Sequence, residues 1–215
     1  MVTQTPFNLD LIEAFIGPWG CGNPKNLAFN WYLFQAEGSL IRDLLAREAQ
    51  APRSTALVTL LKGVTEGNVS PVSTLRLSTR GGQRATAQQV QEHFFITGLP
   101  DEESGNVTEM RPVGTRMELD PTVGPDGFTI DVNFWPEHHT APPFYREENL
   151  MPTGSDKVGK NIPLTDFYSE SIKTSLTMAG ESSVIMSVWK PTGKPEIEGK
   201  DILHISILEA QIIQE

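Results

Sequence analysis

An apolar residue recurs at every second position through several separate stretches from residue 55 onward, and few folds accommodate that pattern. It runs through Leu75/Leu77, Ile130/Val132/Phe134, the set Ile172, Thr174, Leu176 and Met178, and Val184/Met186/Val188. Successive strand side chains point to opposite faces, so each stretch reads as a half-buried strand. The predicted strands are Ala56–Leu61, Val72–Thr79, Arg84–Ile96, Val113–Leu119, Phe128–Trp135, Ser169–Met178, Ser183–Trp189 and Ile202–Ile212. Gly124-Pro125-Asp126-Gly127 is a tight-turn sequence, which pairs Val113–Leu119 with Phe128–Trp135 as a hairpin. Pro191-Thr192-Gly193-Lys194-Pro195 and Gly199 mark a further reversal. Short strands between turn signals predict a mainly β fold, an antiparallel β-sandwich with an immunoglobulin-like variant in the same class, rather than alternating α/β units.

The N-terminal quarter reads differently. Asn8 is placed to cap a short helix carrying Leu9, Leu11, Ile12, Phe15 and Ile16, which Gly17-Pro18 ends. Ser39 precedes a second helix in which Leu40, Ile41, Leu44, Leu45 and Glu48 share one face, closed off by Pro52. Between them the aromatic run Leu27–Phe34 fits strand or helix equally by periodicity. The expected division is therefore an N-terminal helical segment over 1–52 and a β domain over 53–215. The aromatics Phe15, Trp19, Phe29, Trp31, Tyr32 and Phe34 are expected to pack over an end or edge of the β domain, with an interface role as the rival reading.

At 215 residues the chain suits one domain and can bury a core unaided. Seventeen basic against 27 acidic residues give a net charge of −10, which argues against nucleic acid as a partner. The acid excess is local: residues 98–161 hold 5 basic and 12 acidic residues in a Pro- and Gly-rich stretch that reads as solvated loops. A single cysteine, Cys21, excludes an intrachain disulfide framework. No run of about 18 apolar residues is present, so no membrane-spanning helix is expected. Met1-Val2-Thr3-Gln4-Thr5 lacks a basic n-region, as an exported protein in its mature form also would.

No motif carries a catalytic constellation. Gly154-Ser155-Asp156-Lys157-Val158-Gly159-Lys160-Asn161 approaches a phosphate-binding loop, but Asn161 replaces the metal-binding hydroxyl and Pro163 blocks the helix that should follow. Glu137-His138-His139 is the one cluster of metal-ligand types, yet neighbouring strand residues face opposite ways, so surface histidines are expected there. His93 and His204 meet only if the fold brings them together. Cys21 has no local base or electropositive setting. Catalytic, cofactor and metal residues are thus expected to number none, and the chain is read as a non-enzyme.

Several ordered patches resemble the C-terminal region of bacterial secretins. Leu77-Ser78-Thr79-Arg80-Gly81-Gly82-Gln83-Arg84-Ala85-Thr86 is similar to the strand-turn-strand that opens that region. Pro112-Val113-Gly114-Thr115-Arg116-Met117-Glu118-Leu119-Asp120-Pro121 resembles the family's next strand, and Val123–Val132 the hairpin after it. Ser169–Met178 and Ser183–Trp189 sit where the family has a late hairpin, although Val188-Trp189-Lys190-Pro191 replaces its glycine pair. The matches span roughly residues 70–190. Pro136–Pro163, where a pore-forming member carries amphipathic membrane hairpins, is acidic and poorly alternating here.

The resemblance implies a pore-less, non-catalytic, exported protein of the periplasm or outer membrane. Its partners would be pilus or type II secretion proteins, or further copies of itself, and it would carry no membrane-spanning segment. The rival class is a carbohydrate- or ligand-binding module with Trp135 or Trp189 on a sheet face. A hydrolase using carboxylates from residues 98–161 is the third, and no acid–base pair can be named for it.

Overall fold

The computed structural model describes residues 25–50, 54–96, 108–150 and 160–213, together with Asn8. Eleven strands, two α-helices and a 3-10 turn at Pro195–Ile197 are described: β1 (Asn26–Glu37), α1 (Gly38–Glu48), α2 (Ala56–Glu66), β2 (Val69–Arg80), β3 (Ala85–Ile96), β4 (Thr108–Val123), β5 (Thr129–His139), β6 (Phe144–Leu150), β7 (Lys160–Asp166), β8 (Ser169–Ser171), β9 (Thr174–Ala179), β10 (Ser182–Trp189) and β11 (Ile202–Ile213). The protein is mainly β, as expected.

One sheet has the order β10-β11-β1-β2. The other runs β3-β4-β5, with β8 and β9 sharing the place beside β5, and β6 and β7 form a separate hairpin. Neighbouring strands within these sheets pair antiparallel. Leu27, Phe29, Trp31, Leu33, Leu75 and Leu208 of the first sheet share one core with Met117, Leu119, Ile130, Val132, Phe134 and Met178 of the second. The two sheets therefore pack face to face. Trp31 meets Phe134 edge-on across the gap, with centroids 6.3 Å apart. Burying each large apolar side chain contributes on the order of 1.5–3 kcal/mol, and this interlayer is the main reservoir of stability.

The first sheet is apolar on its other face too. Phe34, Ala36, Ile205 and Ile207 pack there against Ile41 and Leu44 of α1 and Ala56, Leu57 and Leu60 of α2. This explains the run Leu27–Phe34. A central strand covered on both faces needs no alternation, so the run Leu27–Phe34 is apolar on both faces apart from Asn30, whose amide donates to Glu209. The segment over 1–52 is accordingly not wholly helical. Residues 26–37 lie between β11 and β2, and a division after residue 52 would fall within this sheet. The helix expected from Asn8, together with Phe15, Trp19 and Cys21, lies outside the described residues apart from Asn8 itself.

The helix beginning near Ser39 is present as α1. The strand expected over Ala56–Leu61 is instead part of α2. Ala56, Leu57, Leu60 and Gly63 are its buried residues, at i, i+1, i+4 and i+7, whereas Val58 is 72% exposed. A helical stripe and a short alternation coincide over six residues, and the sheet face above selects the helix. The hairpin of β4 with β5 forms around the Gly124–Gly127 turn as expected. The late patch behaves differently. β9 pairs with β5 and β10 with β11, so Ser169–Met178 and Ser183–Trp189 belong to different sheets and form no hairpin ladder with each other. Part of the stretch read as solvated loops is the β6–β7 hairpin.

Candidate functional site

Strand register places a polar layer inside one end of the two-sheet core. On the first sheet, His204 of β11 stands opposite Trp189 of β10 and Gln35 of β1. On the second, His138 of β5 stands opposite Thr115 of β4 and Glu170 of β8. Directly opposed residues share a face, so each sheet presents one polar row. The rows meet: His204 Nδ1 lies 3.0 Å from Glu170 Oε2, and its ring centroid lies 6.2 Å from that of His138. Gln35 Oε1 is 3.3 Å from His204 Nε2, and Thr115 Oγ1 is 2.9 Å from His138 Nδ1. His204 is fully buried. A carboxylate oxygen accepts, so His204 Nδ1–H donates to Glu170 Oε2.

Burial is the largest influence on His138, and repulsion from His204, Lys194 and His139 adds to it; together they lower its pKa to about 4. Two further groups in the layer are buried without a hydrogen-bond partner, Glu170 Oε1 and Trp189 Nε1. In the adjoining row, the indole N–H of Trp31 donates to Ser206 Oγ at 2.6 Å. Thr115 and His138 have the composition of a nucleophile and base, but the orienting carboxylate is bonded to His204 instead. An imidazole held near pKa 4 is also a poor base at neutral pH.

The surface-histidine expectation for Glu137-His138-His139 is corrected, since both histidines are buried. They do face opposite ways. His138 enters the interlayer, and His139 Nδ1 lies 3.2 Å from the Gly114 carbonyl oxygen. Among the described residues no group of three or more His, Cys, Asp or Glu is arranged to hold a metal ion. His93 pairs with Arg111 on β4, and the rings meeting at His204 are its own and that of His138. Lys160 and Asn161 begin a strand, whereas a phosphate loop leads into a helix. The remainder of that motif lies outside the described residues.

Trp189 packs against the interlayer core rather than on a ligand face. Trp135 does lie on the outer face of the second sheet, beside a groove of about 410 Å³ lined also by Arg116, Glu137 and Lys173. The Arg84 guanidinium covers it at 5.2 Å from the ring centroid, tethered to Glu118 at 3.5 Å and Asp120 at 3.6 Å. Glu170 and Gln35 were not legible as site residues. Their signal is a polar residue on the apolar side of a strand, and one chain does not reveal what faces it.

The strand edges form a second feature. Among the described residues β2 and β10 each have one partner strand in the first sheet, and β3 and β9 each have one in the second. β2 contacts β3, and β9 contacts β10. Among the described residues these edges are thus stacked two and two, at opposite sides of the protein, with β7 also touching β3.

No family model matches the sequence. No curated protein matches it. Solved structures do. The whole chain aligns with the type II secretin GspD from enteropathogenic Escherichia coli, at TM-score 0.52 and 13% identity over 76% of that chain. It aligns over its full length with a chain of the ETEC pilotin–secretin AspS–GspD complex, at TM-score 0.50 and 14% identity over 54% of that chain. It aligns equally fully with a chain of the Klebsiella pneumoniae type II secretion system outer membrane complex of PulD, PulS and the PulC HR domain, at TM-score 0.50 and 11% identity over 44%. It spans about half the length of the latter two. These likenesses show that the chain has the secretin fold.

Proposed function

We propose that this protein is a non-catalytic assembly component of a type II secretion or type IV pilus machinery, exported to the periplasm or outer membrane. It associates through its sheet edges with further copies of itself and with secretion proteins. The observation that carries this reading is the stacking of open edges, β2 with β3 on one side and β9 with β10 on the other. An unpaired edge is a template for another strand. Each sheet spans four strand positions in antiparallel order. With an even number, a second copy in the same orientation continues the antiparallel alternation in both sheets at once. Such head-to-tail contacts close into a ring when the rotation permits.

The same reading makes the protein pore-less. A membrane-crossing strand needs about 9–11 residues with alternating apolar character. β6 carries Arg146 and Glu147 side by side, and Pro136–Pro163 lacks a sustained apolar alternation.

Sedimentation velocity over a concentration series, with negative-stain imaging of the same samples, tests the assembly reading. Self-association into closed rings is the expected result. A strictly monomeric chain at every concentration removes the edge mechanism. Fractionation of the native organism tests the compartment, and a purely cytoplasmic protein overturns the export reading.

A further inference from the structure

The polar layer sits where two loops close the end of the core. Thr140, just after β5, donates its hydroxyl to the Thr192 carbonyl at 2.7 Å and its N–H to the Tyr168 carbonyl at 3.0 Å. Lys194 belongs to the same loop as Thr192, between β10 and β11, and its charge acts on His138. The groups around His138 come from every element packed on it. His204 stands on β11, Glu170 on β8 and Lys194 on the loop, with Glu137 and His139 on its own strand; Thr115 and Gln35 are uncharged.

We propose that this layer is a proton-operated latch: a proton added to His138 parts the two sheets at this end and frees the 190–195 loop, while the apolar layers stay packed. The neutral ring fits its place, with one nitrogen on the Thr115 hydroxyl and no charge against its neighbours. Adding the proton puts a cation beside the His204 ring and within the field of Lys194. A buried cation without a dedicated partner is expensive. The one unspent carboxylate oxygen nearby, Glu170 Oε1, belongs to the group already bonded to His204. Admitting water at this end relieves the charge. The opening stops at the next layers because Met117, Phe134, Trp31 and Leu208 contain nothing that titrates.

The indole protons of Trp189 and Trp31 report on the two regions separately. Trp189 Nε1 lies in the latch, and Trp31 Nε1 is bonded to Ser206 in the adjoining row. Exchange of both with water is measured by NMR on the full chain from about pH 7.5 to 4.5. The expected result is an increase of about tenfold or more at Trp189, with its midpoint below the ordinary histidine value of about 6.5, and little change at Trp31. In His138→Gln the Trp189 profile becomes flat. In Lys194→Gln, a loop variant, removal of one repulsive charge moves the midpoint to higher pH. Simultaneous exchange at both indoles, persistence of the pH profile in His138→Gln, an unmoved midpoint in Lys194→Gln, or no change at Trp189 down to pH about 4.5 each overturn the latch.

Discussion

Replacing Gly114 with alanine tests whether the motif residue is required by the fold itself. Gly114 sits in β4 at φ 147°, and a Cβ built there lies 2.3 Å from the Gln89 carbonyl oxygen and 2.9 Å from Val90 Cα of β3. Both obstacles are backbone of a paired strand, so no side-chain rotation relieves them. The disfavoured φ costs about 1–3 kcal/mol for a residue with a side chain. Forcing an extra methyl into a closed contact adds about 1–3 kcal/mol, for a total of roughly 2–6 kcal/mol. Gly67 supplies the control. It ends α2 at φ 81° with nothing within 4 Å of a built Cβ, so Gly67→Ala should cost only the left-handed strain of about 1 kcal/mol. Urea unfolding followed by circular dichroism measures both. Gly114→Ala should also speed backbone exchange over residues 108–114, where β4 pairs with β3 alone. If the two variants lose the same stability, the close approach is not what the position requires.

Three further outcomes are expected. His138 has a folded-state pKa of about 4, below its ordinary value, so the unfolded chain takes up the proton first. Stability is then complete above pH about 6.5 and falls as pH drops toward 4, by roughly 3 kcal/mol in all; urea midpoints at neutral and acid pH should converge in His138→Phe, and equal acid losses in both proteins would contradict this. Trp31→Phe strands the Ser206 hydroxyl and Ser206→Ala strands the indole N–H, at about 1–3 kcal/mol each. The double variant should lose about 1 kcal/mol less than the sum, and additivity within about 0.5 kcal/mol would show that this hydrogen bond contributes no coupling. Asp126 accepts from the Thr129 hydroxyl and from the N–H groups of Phe128 and Thr129, which lower its carboxyl pKa to about 2. Its support of the β4–β5 turn is therefore present above the ordinary carboxyl value and lost as pH falls through about 2; an NMR titration giving an unshifted carboxyl would refute that role.

Much of the fold was legible because alternation is a local signal. β2, β3, β10 and β11 lie within three residues of their predicted ends, and the Gly124–Gly127 turn identified the pairing of β4 with β5. The departures share a cause. Ala56–Leu61 carries both a helical stripe and a strand-like alternation, and only the apolar outer face of the first sheet distinguishes them. Leu27–Phe34 has no period because both its faces are covered. Glu170 and His204 stand 34 positions apart along the chain and meet only because their strands lie in facing sheets. The histidines at 138 and 139 look like surface residues in their acidic, Pro-rich surroundings, yet strand β5 carries them under the closing loops.

The sequence alone determined the class of structure, mainly β with a helix beginning near Ser39, since periodicity, turn residues and helix formers act over a few neighbouring positions. It also determined the secretin resemblance, because the motifs occur in order. Only the tertiary structure decided which strands share a sheet, that β1 is central, that β9 and β10 part company, and that a polar layer closes one end of the core. Pairing and facing depend on contacts between distant residues, whose free energies appear only when both partners are in place.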